Sequence, residues 1–217
     1  MTLPHRIYSV LLYFGFHLLY NEMAWSYDVV SRLVSLGQWR EWGRAGIDHV
    51  FGPRVLELAF GTGDILLDLH IAGFEVFGMD ISPYMVAITQ RKLKRARVQI
   101  PIARGAAQAL PFDHDVFDSV ILTFPTLFIF EDCVLGEIAR VLRTGGRLVI
   151  VGRGVVQRPA WLSGFIEWLY WITGQRTTAA SSLTGQLRSC GWDAEEMELQ
   201  LARSAVGLVV ARFPLEA

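Results

Sequence analysis

The stretch VLELAFGTGDILLDL, Val55 to Leu69, decides how this chain is read. An apolar strand runs into Gly61-Thr62-Gly63, and a helical pattern begins at Asp64. Glycines at such a turn let the backbone approach a ligand, and the first turn of the following helix offers unpaired N–H groups. Three details narrow the ligand. A dinucleotide fingerprint needs a third Gly or Ala for close helix packing beside a pyrophosphate. Counting from Gly61, that position holds Leu66. No Lys-Ser or Lys-Thr follows, so the turn is not a phosphate-cradling P-loop. Asp64 puts a carboxylate at the anion-attracting end of the helix, a poor neighbour for phosphate.

The next strand ends in FGMDIS, with Asp80 at its tip, 17 residues after Gly63. An acid there is placed to bond two vicinal ribose hydroxyls; capping the next helix is the competing reading. Glu57 is read both as a strand-end carboxylate bonded to loop amides and as a brace for the glycine turn. The site therefore wants a nucleoside with an acidic clamp and no pyrophosphate. S-adenosylmethionine fits: adenosine, a cationic sulfonium and an amino-acid tail.

Outward from this turn, short β-rich runs alternate with helical patterns, the signature of a parallel α/β sheet. The pattern predicts strands at Arg54–Ala59, Glu75–Asp80, Ile100–Arg104, Phe117–Leu122 and Arg147–Gly152. A further pair follows at Glu195–Leu201 and Val206–Phe213. Helices are predicted at Asp64–His70, Pro83–Arg97, Asp132–Leu142, Ala160–Thr173 and Ser181–Ser189. Ser82 and Pro83 are a cap and a first-turn proline. Thr144-Gly145-Gly146 stops one helix and turns into the fifth strand. Residues 3–50 read as helical, broken at Gly15, Gly37 and Gly43, with Trp25, Trp39 and Trp42 interleaved.

The 217 residues fit one domain: a helical cap over 1–50, and a ligand-binding body over 51–217 with a helical insertion at 155–180. Hydrophobic content of 52% excludes global disorder. A net charge of −1 argues against an electrostatic nucleic-acid binder. Two cysteines exclude a disulfide framework and a Cys-rich zinc module, and are compatible with a reducing, cytoplasmic setting. The five histidines show no ligand spacing, so no metal is expected. The run from Ile7 to Tyr20 is too short to span a bilayer as a helix, which takes about 20 residues. It reads either as a helix buried against the domain or as one touching a membrane surface or lipid-like substrate. The helix at 160–173 carries the same two readings, so peripheral contact with the inner face of the membrane is the sharper of them.

Four segments carry a resemblance. They are LELAFGTGD, GMDIS-PYM, GAAQALPFDHDVFDSV and EIARVLRTGGRLVIV. In this order they resemble the class I S-adenosylmethionine-dependent methyltransferases, over about Tyr27 to Gly152. Within that class they look most like the ubiquinone/menaquinone biosynthesis C-methyltransferase group and its "type 11" relatives. That group shares Ala59, where most methyltransferases have glycine. The resemblance implies a Rossmann-like α/β fold: a seven-stranded, mostly parallel sheet with an antiparallel C-terminal edge hairpin, helices on both faces and an N-terminal helical cap. It implies S-adenosyl-L-methionine as cofactor and S-adenosyl-L-homocysteine as product. Glu57, Ala59, Phe60, Gly61 and Gly63 would form the cofactor loop. Asp80 would hold the ribose, with Ile81 against the adenine face and Met85 nearby. Ala106 and Ala107 would lie at the adenine edge, and Thr123 and Phe124 near the methionine portion. Tyr27 would approach the cofactor's tail.

The chain departs from the resemblance in two places. Relatives carry Asp where Ala106 stands, which leaves the adenine amino group to backbone, water or Gln108. The quinone enzymes carry an Arg-Asn pair after strand four, where this chain has TFPTLFIFED. The expected function is methyl transfer to a small hydrophobic acceptor of quinone, polyketide or phospholipid type. The alternative is a non-catalytic or degenerate cofactor-binding, membrane-associated protein. No constellation nominates a general base. His17, Glu22 and Glu131, like His114 and Glu167, stand out by position alone, each against a competing surface or capping role.

Overall fold

The computed structural model describes residues 31–156 and 179–214, Val34 excepted. The apolar helices expected at 7–20 and 160–173 lie outside the described residues. Seven strands form one sheet: β1 Arg54–Leu58, β2 Glu75–Asp80, β3 Ile102–Arg104, β4 Phe117–Thr123, β5 Leu142–Val156, β6 Asp193–Gln200 and β7 Ser204–Arg212. Their order is β3-β2-β1-β4-β5-β7-β6. β1 to β5 pair in parallel, and β7 runs antiparallel to both β5 and β6. The central strands are apolar almost continuously because both faces are covered, as parallel sheets require.

Among the described residues, the sheet is flanked by α-helices α1 Trp39–Ala45, α2 Asp64–Ile71, α3 Pro83–Ala96, α4 Asp132–Val141 and α5 Ala179–Ser189. Alternation along each strand divides the core. Val55, Ile121, Val149 and Val151 pack with Trp42 of α1, Leu66 and Leu69 of α2 and Leu93 of α3. Leu56, Leu58, Val120, Leu122 and Leu148 pack with Ile138 of α4 and Leu183 and Leu187 of α5. Among the described residues, no helix is long and apolar enough to cross a membrane.

Several element ends differ from those read in the sequence, each for a local reason. β1 stops at Leu58 because Ala59 takes a left-handed φ of 56°. β3 starts only after Pro101, which has no N–H to give the ladder. α3 stops at Ala96, where Arg97 turns left-handed at φ 57°. β5 begins early: Leu142 pairs with Phe117, and the chain bulges before Arg147 pairs with Ser119. Gly145 makes that bulge at φ 76°. β5 also extends to Val156, where β7 partners it through Ser204.

Gly37 does break the N-terminal helical region, at φ 83°. Gly43 does not; it lies inside α1. A Cβ there would come within 2.7 Å of Ile65 Cδ1, so glycine serves close packing of α1 on α2. Three polar anchors hold α1 down. Arg40 makes a two-pronged bond to Asp68, from Nε to Oδ2 at 2.9 Å and from NH2 to Oδ1 at 2.7 Å. The Trp42 indole donates to Ser204 Oγ at 2.8 Å. The Trp39 amide donates to Ser35 Oγ at 3.0 Å, joining α1 to the helical turn before it.

Candidate functional site

The chain leaves β1 to build β2 and β3 on one side, then crosses to build β4 on the other. At such a reversal the two connections diverge and leave a crevice beyond the carboxyl ends of the strands. A cleft of about 380 Å³ lies there, within the roughly 300–1,000 Å³ of small-ligand pockets. Its floor is the turn Ala59–Thr62 with Asp64 and Ile65 of α2. One wall is Asp80–Ser82, another Thr123–Thr126 with Phe128, and the third Ser31, Arg32, Gly37, Trp39, Arg40 and Gly43.

The turn is held from several sides. The Ala59 amide donates to Met79 O at 2.7 Å, extending the β1–β2 pairing by one step. Gly61 N–H donates to Asp80 Oδ2 at 2.9 Å, and Thr89 Oγ1 donates to Gly61 O at 3.0 Å. Gly61 has φ 56°, and a Cβ on it would meet nothing within 4 Å, so its backbone is bare on the cleft side. Gly63 caps α2 at φ 75°, and a Cβ there would strike Thr89 Cγ2 at 2.5 Å. Leu66, the residue that breaks the dinucleotide pattern, is accommodated over Gly78 of β2. Here the small residue of that contact sits on the strand, not on the helix.

Asp80 is 7% exposed and both of its oxygens already accept backbone amides, Gly61 on Oδ2 and Ser82 on Oδ1 at 2.8 Å. It is therefore the hinge between the glycine turn and the start of α3. Each oxygen has a second lone pair free for a ligand hydroxyl. Burial pushes its carboxyl above the ordinary range, and the Ser82 and Gly61 amides pull back. Ser82 Oγ caps α3 by accepting the Met85 amide at 3.3 Å, so helix capping falls to Ser82 and Asp80 is left facing the cleft.

Glu57 departs from its expected bonding. It is completely buried, yet neither carboxylate oxygen has a hydrogen-bond partner. Burial raises its pKa well above the usual value, and the charges of Asp80, Asp64 and Asp68 raise it further. The Leu66 amide opposes this weakly without reaching hydrogen-bond geometry. The expectation that Glu57 bonds loop amides is thus corrected: it is an orphaned acid beside the turn. Two of its neighbours are paired, Asp68 with Arg40 and Asp64 with Lys92 at 2.9 Å.

The structure brings Ala59, Phe60, Gly61, Asp80, Ile81, Thr123 and Phe124 onto one cleft. Ile81 is 65% exposed on its rim. Glu57 and Met85 lie fully buried behind it. Ala106 and Ala107 sit half-buried in the loop after β3, off the cleft surface. Gln108 donates its side-chain amide to Glu131 at 2.8 Å, so that amide is turned to the start of α4. Glu131 is exposed at the N-cap of α4 and does not line the cleft. His114 is also exposed. Tyr27, His17, Glu22 and Glu167 lie outside the described residues.

The sequence led us to expect N-terminal helices over this end of the sheet, but not the residues of the third wall. Nothing in the spacing of residues 31–43 says that they face a ligand; only the tertiary docking of α1 shows it. Phe124 also takes a left-handed φ, 51°, held by its amide donating to Val151 O at 2.8 Å. Its ring packs on Trp39 at 4.0 Å between centroids, closing the apolar end of the cleft. Strained residues of this kind concentrate at functional sites.

A family model matches residues 15–181, a range containing every strand that borders the cleft. The chain belongs to the ubiE/COQ5 methyltransferase family. A curated relative in Thermus thermophilus, demethylmenaquinone methyltransferase, is 38% identical over 139 residues, 61% of this chain and 63% of that protein. The ubiquinone/menaquinone biosynthesis C-methyltransferase UbiE of Geobacter sulfurreducens is 34% identical over 144 residues, 61% of this chain and 56% of that protein. The chain thus spans about three fifths of the length of these ubiE/COQ5 relatives. A crystal structure of a SAM-dependent methyltransferase from Aquifex aeolicus shares the fold, with TM-score 0.63 at 16% identity over 88% of this chain and 97% of that one.

Proposed function

We propose that this chain binds S-adenosylmethionine in the cleft and passes its methyl group to a hydrophobic acceptor of quinone type. One observation carries the cofactor reading: the bare glycine turn is clamped to Asp80, and Glu57 lies orphaned beside it. A carboxylate buried without a partner is costly unless a cation or donor arrives to satisfy it. A ligand bearing positive charge at the turn fits that need, and a pyrophosphate does not.

When bound, the cofactor supplies a methyl group on a cationic sulfur. Asp80 accepts the ribose hydroxyls with the lone pairs left free by Gly61 and Ser82. Ile81 covers one face of the adenine. Asp80 sets a negative field across the turn, which favours a cationic sulfonium over a neutral thioether. The same field therefore helps the product leave. The wall of Trp39, Phe124, Pro125 and Phe128 gives an apolar acceptor a dry seat at the β4 end. An in-line displacement needs little more than this positioning.

Support for a quinone-type acceptor comes from the names of the relatives and from this apolar wall. The test is transfer of a radiolabelled methyl group from S-adenosylmethionine to demethylmenaquinone presented in detergent, with a phosphatidylethanolamine dispersion in parallel. Label in the quinone alone supports the reading. Label in the lipid alone overturns the quinone assignment while leaving the methyltransferase reading intact.

A further inference from the structure

We propose that Arg32 receives the carboxylate of the cofactor's amino-acid tail and so selects ligands that carry one. The inference rests on the cofactor reading above. Among the described residues, two cations line the cleft, Arg32 and Arg40. Arg40 is committed to Asp68 through both prongs of its guanidinium. Arg32 is exposed to the cleft and makes no side-chain bond or ion pair with any described residue.

The acids are distributed the other way. Asp80 and Asp64 line the β2 wall and the floor, and Glu57 lies buried behind the turn. A carboxylate brought into this cleft is repelled from those surfaces and needs a charged donor elsewhere. On the described walls, Arg32 is the cation still able to give one. A planar guanidinium suits the task because it meets a carboxylate with two parallel donors.

The strand order gives the direction. Asp80, at the end of β2, fixes the ribose at one end. A ligand laid across the turn from β2 reaches β4, and α1 packs over that end: Gly43 lies against Ile65 and faces Thr123. The turn carrying Arg32 is fastened to α1. Gly37 N–H donates to Arg32 O at 2.8 Å, and Ser35 Oγ accepts the Trp39 amide. Arg32 is thus presented at the end of the cleft where the amino-acid tail arrives, on a backbone already held in place.

The test compares two ligands by calorimetry on wild type, Arg32→Ala and Arg32→Lys. One ligand is S-adenosylhomocysteine. The other is its decarboxylated analogue, which keeps the adenosine, the sulfur and the amine. Arg32→Ala is expected to weaken S-adenosylhomocysteine about tenfold and to leave the decarboxylated analogue within about twofold of wild type. Arg32→Lys should recover part of the loss. Equal weakening of both ligands, or of neither, overturns the assignment of Arg32 while the cofactor reading stands. Failure of wild type to bind S-adenosylhomocysteine overturns both.

Discussion

At the scale of single residues, the acids around the glycine turn set ligand affinity against stability. Glu57 is buried without a partner, and its pKa is raised well above the 4.5 of a free glutamate. The unfolded chain releases this proton near pH 4.5, whereas the folded chain keeps it to higher pH. Stability from this group is therefore complete below about 4.5 and falls as pH rises toward the folded value. Glu57→Gln should raise the melting temperature of the ligand-free protein at pH 8 and converge with wild type near pH 4, while weakening S-adenosylhomocysteine. Thermal melts from pH 4 to 8 check the first part; a variant less stable than wild type at pH 8 contradicts it. Asp80 carries a different duty. Asp80→Ala should weaken S-adenosylhomocysteine at least tenfold, about 1.4 kcal/mol, by removing charge-assisted bonds and releasing the Gly61 amide. Unchanged affinity in a folded variant would remove the ribose assignment.

At the scale of elements, α1 turns a bare crevice into a cleft with a third wall. Its seat is tight: Gly154 of β5 lies so close beneath Trp42 that a Cβ would stand 2.2 Å from the indole ring. Gly154→Ala should destabilise the fold by about 1–3 kcal/mol through overpacking and loosen α1, read as a lower denaturant midpoint. A midpoint equal to that of wild type would mean that α1 is not packed as described. On the opposite face, α4 pins the loop that follows β3. Arg140 binds Glu137 at 2.7 Å and the carbonyls of Leu110 and Phe112, and Glu137 accepts the Leu110 amide at 2.6 Å. The Arg140 guanidinium holds the Glu137 carboxyl down to about 2. Its contribution is present above about pH 4.5 and is lost as pH falls through 2. Glu137→Gln should flatten the acid limb of the stability profile between those values.

At the scale of the whole molecule, what was legible followed local rules. Strand and helix alternation, the glycine turn and Asp80 at a strand tip are matters of spacing within about thirty residues, and the seven strands and their mixed edge follow from them. What was not legible depends on contacts between distant segments. Gly43 reads as a helix breaker until Ile65 is seen against it. Glu57 reads as a bonded strand-end acid until both of its oxygens are found without partners. Gln108 reads as a spare donor until Glu131 is found to hold it. In each case the residue's type was informative but its neighbour was not in the local sequence.

The central claim is that the β1–β2–β4 cleft holds an adenosyl ligand without a pyrophosphate. Calorimetric titration of the intact protein with S-adenosylhomocysteine, with NADH as a parallel control, tests it most directly. Micromolar binding of S-adenosylhomocysteine, lost in Asp80→Ala, with no heat from NADH, is the result this account predicts. Binding of NADH, or of neither ligand, would contradict it.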